Sequence, residues 1–274
     1  FLETTPLIHA ALKGSHAISG LLLKMGADPN ITDTGQSSPL MFAAENNACK
    51  TIKTLLSYGA DVNAKDECGA GALTIAILNG NEEAVRILLD GGANVNDTDK
   101  AGIPPLFHAA NSEKMEALIP VLVEAGVDTG YISRKGENLL LRVIDARAID
   151  VFGVYDVDSM VSFILENKLV KNIFHRDKAG DSALMRAIRN NQPDVVKLLV
   201  AEGFTGERLD KANRRGITPV QAAIKKGNVL ILDMLLSAGA GDAKTNPEWG
   251  SNAHAYINSF EDMDKAYEAF LLAL

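Results

Sequence analysis

The sequence predicts an all-α solenoid of stacked helix pairs, and three observations carry that prediction. An apolar line closing on glycine returns along the chain: LLLKMGADPN (Leu21–Asn30), LLSYGADVN (Leu55–Asn63), LLDGGANVN (Leu88–Asn96), LVEAGVD (Leu122–Asp128), LLVAEG (Leu198–Gly203) and LLSAGAG (Leu235–Gly241). A second line, running from TPLIHAALKG near the N-terminus to TPVQAAIKKG near the C-terminus, precedes these. Between units stand Gly35, Gly69, Gly102, Gly136, Gly180 and Gly216, spaced by 34, 33, 34, 44 and 36 residues, which sets a period near 33 with one expanded unit. Such a period marks an architecture in which no unit can cover its own apolar face, so units must stack.

Within a unit, each element has a local cause. Thr5-Pro6 and Thr218-Pro219 put a capping hydroxyl beside a proline at the first helical position, where a missing N–H costs nothing. The alanine pairs that follow (Ala10-Ala11, Ala43-Ala44, Ala109-Ala110, Ala222-Ala223) let neighbouring first helices approach closely. The second helix carries apolar residues at helical spacing, as in Ala84, Val85, Ile87, Leu88 and Leu89, and ends at Gly92, which suits a left-handed C-cap. The segment ANVNDTDKAG then reads as extended chain and turn.

These residues resemble the ankyrin repeat, whose pattern runs roughly D-x-x-G-x-T-P-L-H-x-A-A through V-V-x-L-L-L-x-x-G-A-D-V-N. The resemblance spans about residues 4–241 as seven units and implies short β-hairpin turns between helix pairs. The chain departs from the pattern in places. Ile8, Met41, Thr74, Phe107, Leu141, Met185 and Gln221 stand where the family has histidine, with His9 and His108 one residue later, so the histidine brace of the turn does not carry over. The second unit reads as gaining a residue at Ser37, and Pro120 predicts a kink or a late start in the fourth unit's second helix.

The expected organisation is an array over residues 1–241 and a helical cap over 242–274. The fifth unit is expanded around 145–158, where Phe152, Val154 and Tyr155 sit among acids. That insertion reads either as chain folded back on the stack or as a partner-binding projection through Phe152 and Tyr155. The C-terminal segment holds five of the fifteen aromatics, and Phe260, Met263, Tyr267, Phe270, Leu271 and Leu274 fall on one helical face. It reads as a cap over the last stack, with a partner-binding helix as the alternative.

Composition narrows function further. Lys+Arg total 27 against 35 for Asp+Glu, a net charge of −8, which argues against non-specific binding to DNA or an acidic membrane. The two cysteines, Cys49 and Cys68, form no disulfide framework and suit a reducing compartment. The five histidines are scattered, and no nucleophile elbow or phosphate loop is present. No catalytic residue, metal site or cofactor is therefore expected, and the protein is read as not an enzyme. No apolar run spans a bilayer, and the start at Phe1 reads as a trimmed or processed chain.

The resemblance implies a cytoplasmic, monomeric interaction scaffold or adaptor that binds a protein through its turn tips and concave face. The alternative is the ankyrin domain of a larger regulatory enzyme, or of a secreted effector acting in a host cytosol. The family's contact positions in units two to four carry one base and three acids, including Glu45 and Glu67. In units five to seven they carry eight bases, Arg134, Lys135, Lys178, Arg189, Arg214, Arg215, Lys225 and Lys226, against the acids Glu137, Asp145 and Asp181. This segregation points to an acidic protein surface docking on the C-terminal half, ahead of a nucleic acid or phosphoinositide. The resemblance also implies that Asn63 and Asn96 could be substrates of an asparaginyl hydroxylase. The alternative reading is that such an asparagine ties down its own turn.

Overall fold

In this computed structural model the described residues are 4–112, 114–145 and 157–240, with the Glu207 side chain excepted. The C-terminal residues 241–274, the insertion with Phe152 and Tyr155, and His254 lie outside them. The chain divides into two compact units, Phe1–Tyr131 and Ile132–Leu274.

The first unit holds four helix pairs: α1 (Pro6–Leu12) with α2 (His16–Lys24), α3 (Pro39–Glu45) with α4 (Cys49–Ser57), α5 (Ala72–Leu78) with α6 (Glu82–Asp90), and α7 (Pro105–Ala109) with α8 (Met115–Glu124). First helices pack on first helices, and second helices on second helices, so the unit has two layers. Between them lies the core. The alanine pairs of α1, α3 and α7 are sealed, with Ala11, Ala43, Ala44, Ala109 and Ala110 at 0% exposure, and Leu55, Leu88, Leu118 and Leu122 are equally buried from the other layer. Each such leucine contributes about 1.5–3 kcal/mol by leaving water.

The second unit repeats the scheme with α9 (Leu139–Asp145) and α10 (Val157–Glu166), α11 (Ala183–Arg189) and α12 (Pro193–Ala201), and α14 (Pro219–Lys226) and α15 (Val229–Ser237). A short helix, α13 (Glu207–Asp210), is added before the last pair. Phe174 and Phe204 meet there at 4.8 Å between ring centroids, with the Arg208 guanidinium 3.8 Å from the Phe174 centroid.

Helix starts follow their caps. The hydroxyls of Thr5, Ser38, Ser182 and Thr218 accept from the N–H three residues on, and Asn138 Oδ1 accepts from Leu141 N at 3.0 Å. At Thr218 the Gln221 side chain accepts in return from the Thr218 N–H, completing a capping box.

The inter-unit turns carry isolated antiparallel bridges (Lys65 with Gly71, Arg176 with Ser182), the shortest form of the expected hairpin turns, with no strand among the described residues. Two expectations are corrected by the geometry. The second unit gains no residue at Ser37. Asp33–Ser38 is as long as Asp66–Gly71, and Gln36 N donates to Asp33 O as Gly69 N donates to Asp66 O. Gln36, at φ 61°, therefore occupies the left-handed position that Gly69 fills at 78°. Finally, of the two outcomes expected at Pro120 the late start is not seen, because α8 runs from Met115 to Glu124 with Pro120 inside it.

At the turns glycine is required twice over. A Cβ on Gly69 would lie 2.7 Å from Lys100 N, and one on Gly180 would lie 2.8 Å from Arg214 N. The close approach lets successive turn tips bond, Lys100 N to Cys68 O and Arg214 N to Ala179 O, both at 3.0 Å.

Candidate functional site

The turn and first helix of each repeat bring their side chains to one face, and in the second unit that face is a charged groove of about 850 Å³. Its floor comes from the position one residue after the family's histidine. There, Arg186 of α11 is 7% exposed and donates to Asp177 Oδ2 at 2.5 Å, to Glu137 Oε1 at 3.1 Å and to Asp145. Arg142, at the same position of α9, lies 3.8 Å from Glu137 Oε2. Burial works against the Arg186 charge, yet the surrounding carboxylates hold its pKa above the ordinary value. Burial likewise opposes the Asp177 carboxylate, and the Arg186 hydrogen bond with the N–H groups of Asp181 and Ala179 pulls it below the ordinary range.

This position also explains the turn brace. His108 occupies it in the first unit and sets its Nε2 3.0 Å from Asp99 Oδ2, nine residues back, as Arg186 meets Asp177 nine residues back. The brace expected to be missing is thus present in repeat four, delivered from the next side chain. Burial opposes the Asp99 carboxylate, but the Ile103 N–H and His108 lower its pKa overall.

The groove rim carries the exposed bases. Lys135 and Arg215 stand on turn tips, Arg189 ends α11, and Lys225 and Lys226 end α14. The other three expected contact residues, Arg134, Lys178 and Arg214, are exposed but do not line the groove. Seven cations and four carboxylates line it, a balance of +3. The carboxylates are already taken up. Glu137, Asp145 and Asp177 face Arg186, while Asp181 pairs with Arg189 and accepts from Asn213 Nδ2 at 2.8 Å. Glu137 and Asp181, expected as contact positions, are 5% and 3% exposed and serve the floor instead. Among the described residues, Lys135, Arg215, Lys225 and Lys226 have no ion-pair partner.

Sequence reasoning missed Arg142, Asp177 and Arg186. The available signal was register: Arg142 and Arg186 align with His9 and His108, on the side of the helix that faces the turn.

The asparagines behave differently from the turn-tying expectation. Asp61 Oδ1 ties the turn by accepting from Asn63 N at 2.9 Å, while the Asn63 side chain reaches the next repeat. Its Nδ2 donates to Gly92 O at 3.3 Å and its Oδ1 accepts from Asn94 N at 2.8 Å. Asn30 bonds Gly59 O and Asp61 N in the same way, and Asn96 Oδ1 accepts from Asp128 N at 2.7 Å.

With this geometry in view, a family model for ankyrin repeats matches three times, over residues 2–66, 40–133 and 153–247. The chain belongs to the ankyrin-repeat family. Ankyrin repeat domains generally mediate protein–protein interactions. Solved ankyrin structures overlay well: the human ASB11 ankyrin repeat domain at TM-score 0.70 and 23% identity, covering 88% of this chain and 100% of that one. The ankyrin repeat domain of Bcl-3, a member of the IkappaB protein family, overlays at TM-score 0.69 and 22% identity, covering 85% and 99%. At these identities the likeness carries the fold. No curated protein matches the sequence. Among the described residues no group of His, Cys, Asp and Glu could hold a metal, and no helix is long and apolar enough to cross a membrane.

Proposed function

We propose that this ankyrin protein is a non-catalytic adaptor whose second unit docks an acidic protein surface in the groove between its turn tips and first helices. The single observation that supports this reading is the division of labour among the groove charges. The acids are consumed by Arg186 and Arg142 at the floor and by Arg189 at the rim, which leaves Lys135, Arg215, Lys225 and Lys226 at the rim with no ion-pair partner among the described residues. A docked anion then meets a local positive field on a protein of net charge −8. Such a field acts chiefly on the association rate and is weakened by salt.

The test uses a fluorescently labelled oligo-glutamate peptide as probe. Reversing Arg215, Lys225 and Lys226 to Glu is expected to weaken binding at least tenfold, roughly 1.4 kcal/mol or more. Reversing Arg134, Lys178 and Arg214, which lie outside the groove, is expected to change it only two- to threefold. Equal losses from both sets would mean that net charge, not the groove, attracts the probe.

A further inference from the structure

The first helix pair presents an apolar face that no other described residue covers. Along α2, Ile18, Leu21 and Met25 are 54%, 59% and 77% exposed and share one face. The repeat register gives that face a meaning. Thr51, Ala84 and Leu118 hold the Ile18 position in the next three repeats, and each is 0% exposed. At the Leu21 position, Thr54 reaches back to the preceding repeat, its Cγ2 lying 3.8 Å from where a Gly20 Cβ would stand. The Met25 position differs: Tyr58, Gly91 and Ala125 hold it in the next three repeats and stay exposed, Tyr58 by 41%. In repeats two to four the Ile18 and Leu21 positions therefore form the surface on which the previous repeat stacks.

A second feature on the same side agrees. Each of Gly59 and Gly92 has its carbonyl bonded by the asparagine of the preceding repeat, and the N–H two residues on, at Asp61 and Asn94, donates to that same asparagine. The corresponding groups of the first repeat are Gly26 O and Asp28 N, and among the described residues neither has a hydrogen-bond partner. An apolar stripe and an empty asparagine socket thus lie side by side, both in the form that internal repeats use.

We infer that the α1/α2 face is covered by one further ankyrin-type helix pair of the same polypeptide, which places an asparagine 33 residues before Asn30 to fill the Gly26/Asp28 socket. A terminal repeat would need a polar outer face to stay soluble, and this stripe is apolar.

Sequencing the natural transcript upstream of the Phe1 codon tests the source: a helix-pair segment with asparagine in that register is expected, and its absence overturns the inference. A fusion tests the face without that knowledge. A copy of residues 34–69 fused to Thr4, which puts the copied asparagine in register, is expected to slow hydrogen exchange at the Asp28 N–H about tenfold, because the equivalent N–H groups of Asp61 and Asn94 are bonded by the preceding asparagine, and to raise the melting temperature by about 5 °C. The same fusion with Asn63→Ala in the copied segment should give a smaller rise and leave Asp28 exchanging freely. An Asp28 N–H already protected in this chain alone would show that its own termini cover the face, and a dimer lost on Leu21→Ser would assign it to a second copy. Either result overturns the inference, as would a fusion that leaves Asp28 exchange and the melting temperature unchanged.

Discussion

The two compact units are built from the same repeat but are fastened differently. In the first, a ladder of neutral asparagines, Asn30, Asn63 and Asn96, carries each repeat to the next through bonds to backbone. In the second, that line is lost: KLVKN and GFTGE stand in place of Gly-Ala-Asp-Val-Asn, and a buried ionic cluster joins amides such as Asn190 and Gln192 in spanning the repeats. Arg186 joins Glu137 and Asp145 of the previous repeat to Asp177 of its own, and Arg176 donates to the carbonyls of Lys211 and Ala212 in the next. The difference teaches that the repeat needs cross-links between units but not a particular chemistry for them. Ionic links have a second consequence: they absorb the acids of the groove and leave its rim basic.

Breaking the floor should have the largest effect. Arg186→Ala strands three carboxylates, two of them buried, and is expected to cost about 3–5 kcal/mol. Hydrogen exchange should show the loss in residues 157–240 while 4–112 keep their protection; uniform loosening of both units would remove the comparison.

Acid should produce a smaller loss by the same route. Asp177 has a folded pKa below its unfolded value, so its contribution is complete above about pH 4 and fades as pH falls through the depressed folded value. Asp177→Asn should therefore lower stability at neutral pH and flatten the acid limb below pH ~4, as read by denaturant titration at each pH. Asp99, lowered by the Ile103 N–H and by His108, gives the first unit a dependence of the same sign.

In the first unit, Asn63→Ala removes two exposed inter-repeat hydrogen bonds and is expected to cost about 1–2 kcal/mol. A cost near zero would leave the ladder decorative. The smallest effect is a gain: Gln36→Gly relieves a left-handed non-glycine residue and should stabilise by about 0.5–1 kcal/mol, less than the strain itself because glycine is freer when unfolded.

The fold was largely legible because its signals are periodic. The alanine pairs, the Thr-Pro starts and the leucine stripes recur often enough to set the register, and each lands where packing demands it. Counting alone misled at Gly35. The turn is defined by hydrogen bonds that Asp33 accepts from Gly35, Gln36 and Ser37, and Gly35 made the left-handed residue look one place early, which created an apparent insertion at Ser37. The groove was half legible. Rim bases such as Arg215 and Lys225 are visible as contact positions, but nothing in the sequence separates an acid that faces solvent from one that faces a buried arginine. Glu137 and Asp181 were therefore counted against the bases when they belong to the floor. The exposed stripe on α2 is a repeat position like any other in sequence; only the burial of Thr51, Ala84 and Leu118 gives it meaning.

The account's central claim is that the groove of the second unit attracts acidic partners through its unpaired rim. Stopped-flow association with the oligo-glutamate probe, from about 50 mM to about 300 mM salt, tests it most directly. The account predicts a rate that falls steeply with salt for the natural chain, and a slow, nearly salt-independent rate once Arg215, Lys225 and Lys226 are reversed. Reversing Glu45 and Glu67 to Lys in the first unit should leave both rate and slope almost unchanged. A natural-chain rate indifferent to salt, or an equal response to the two sets of reversals, would contradict it.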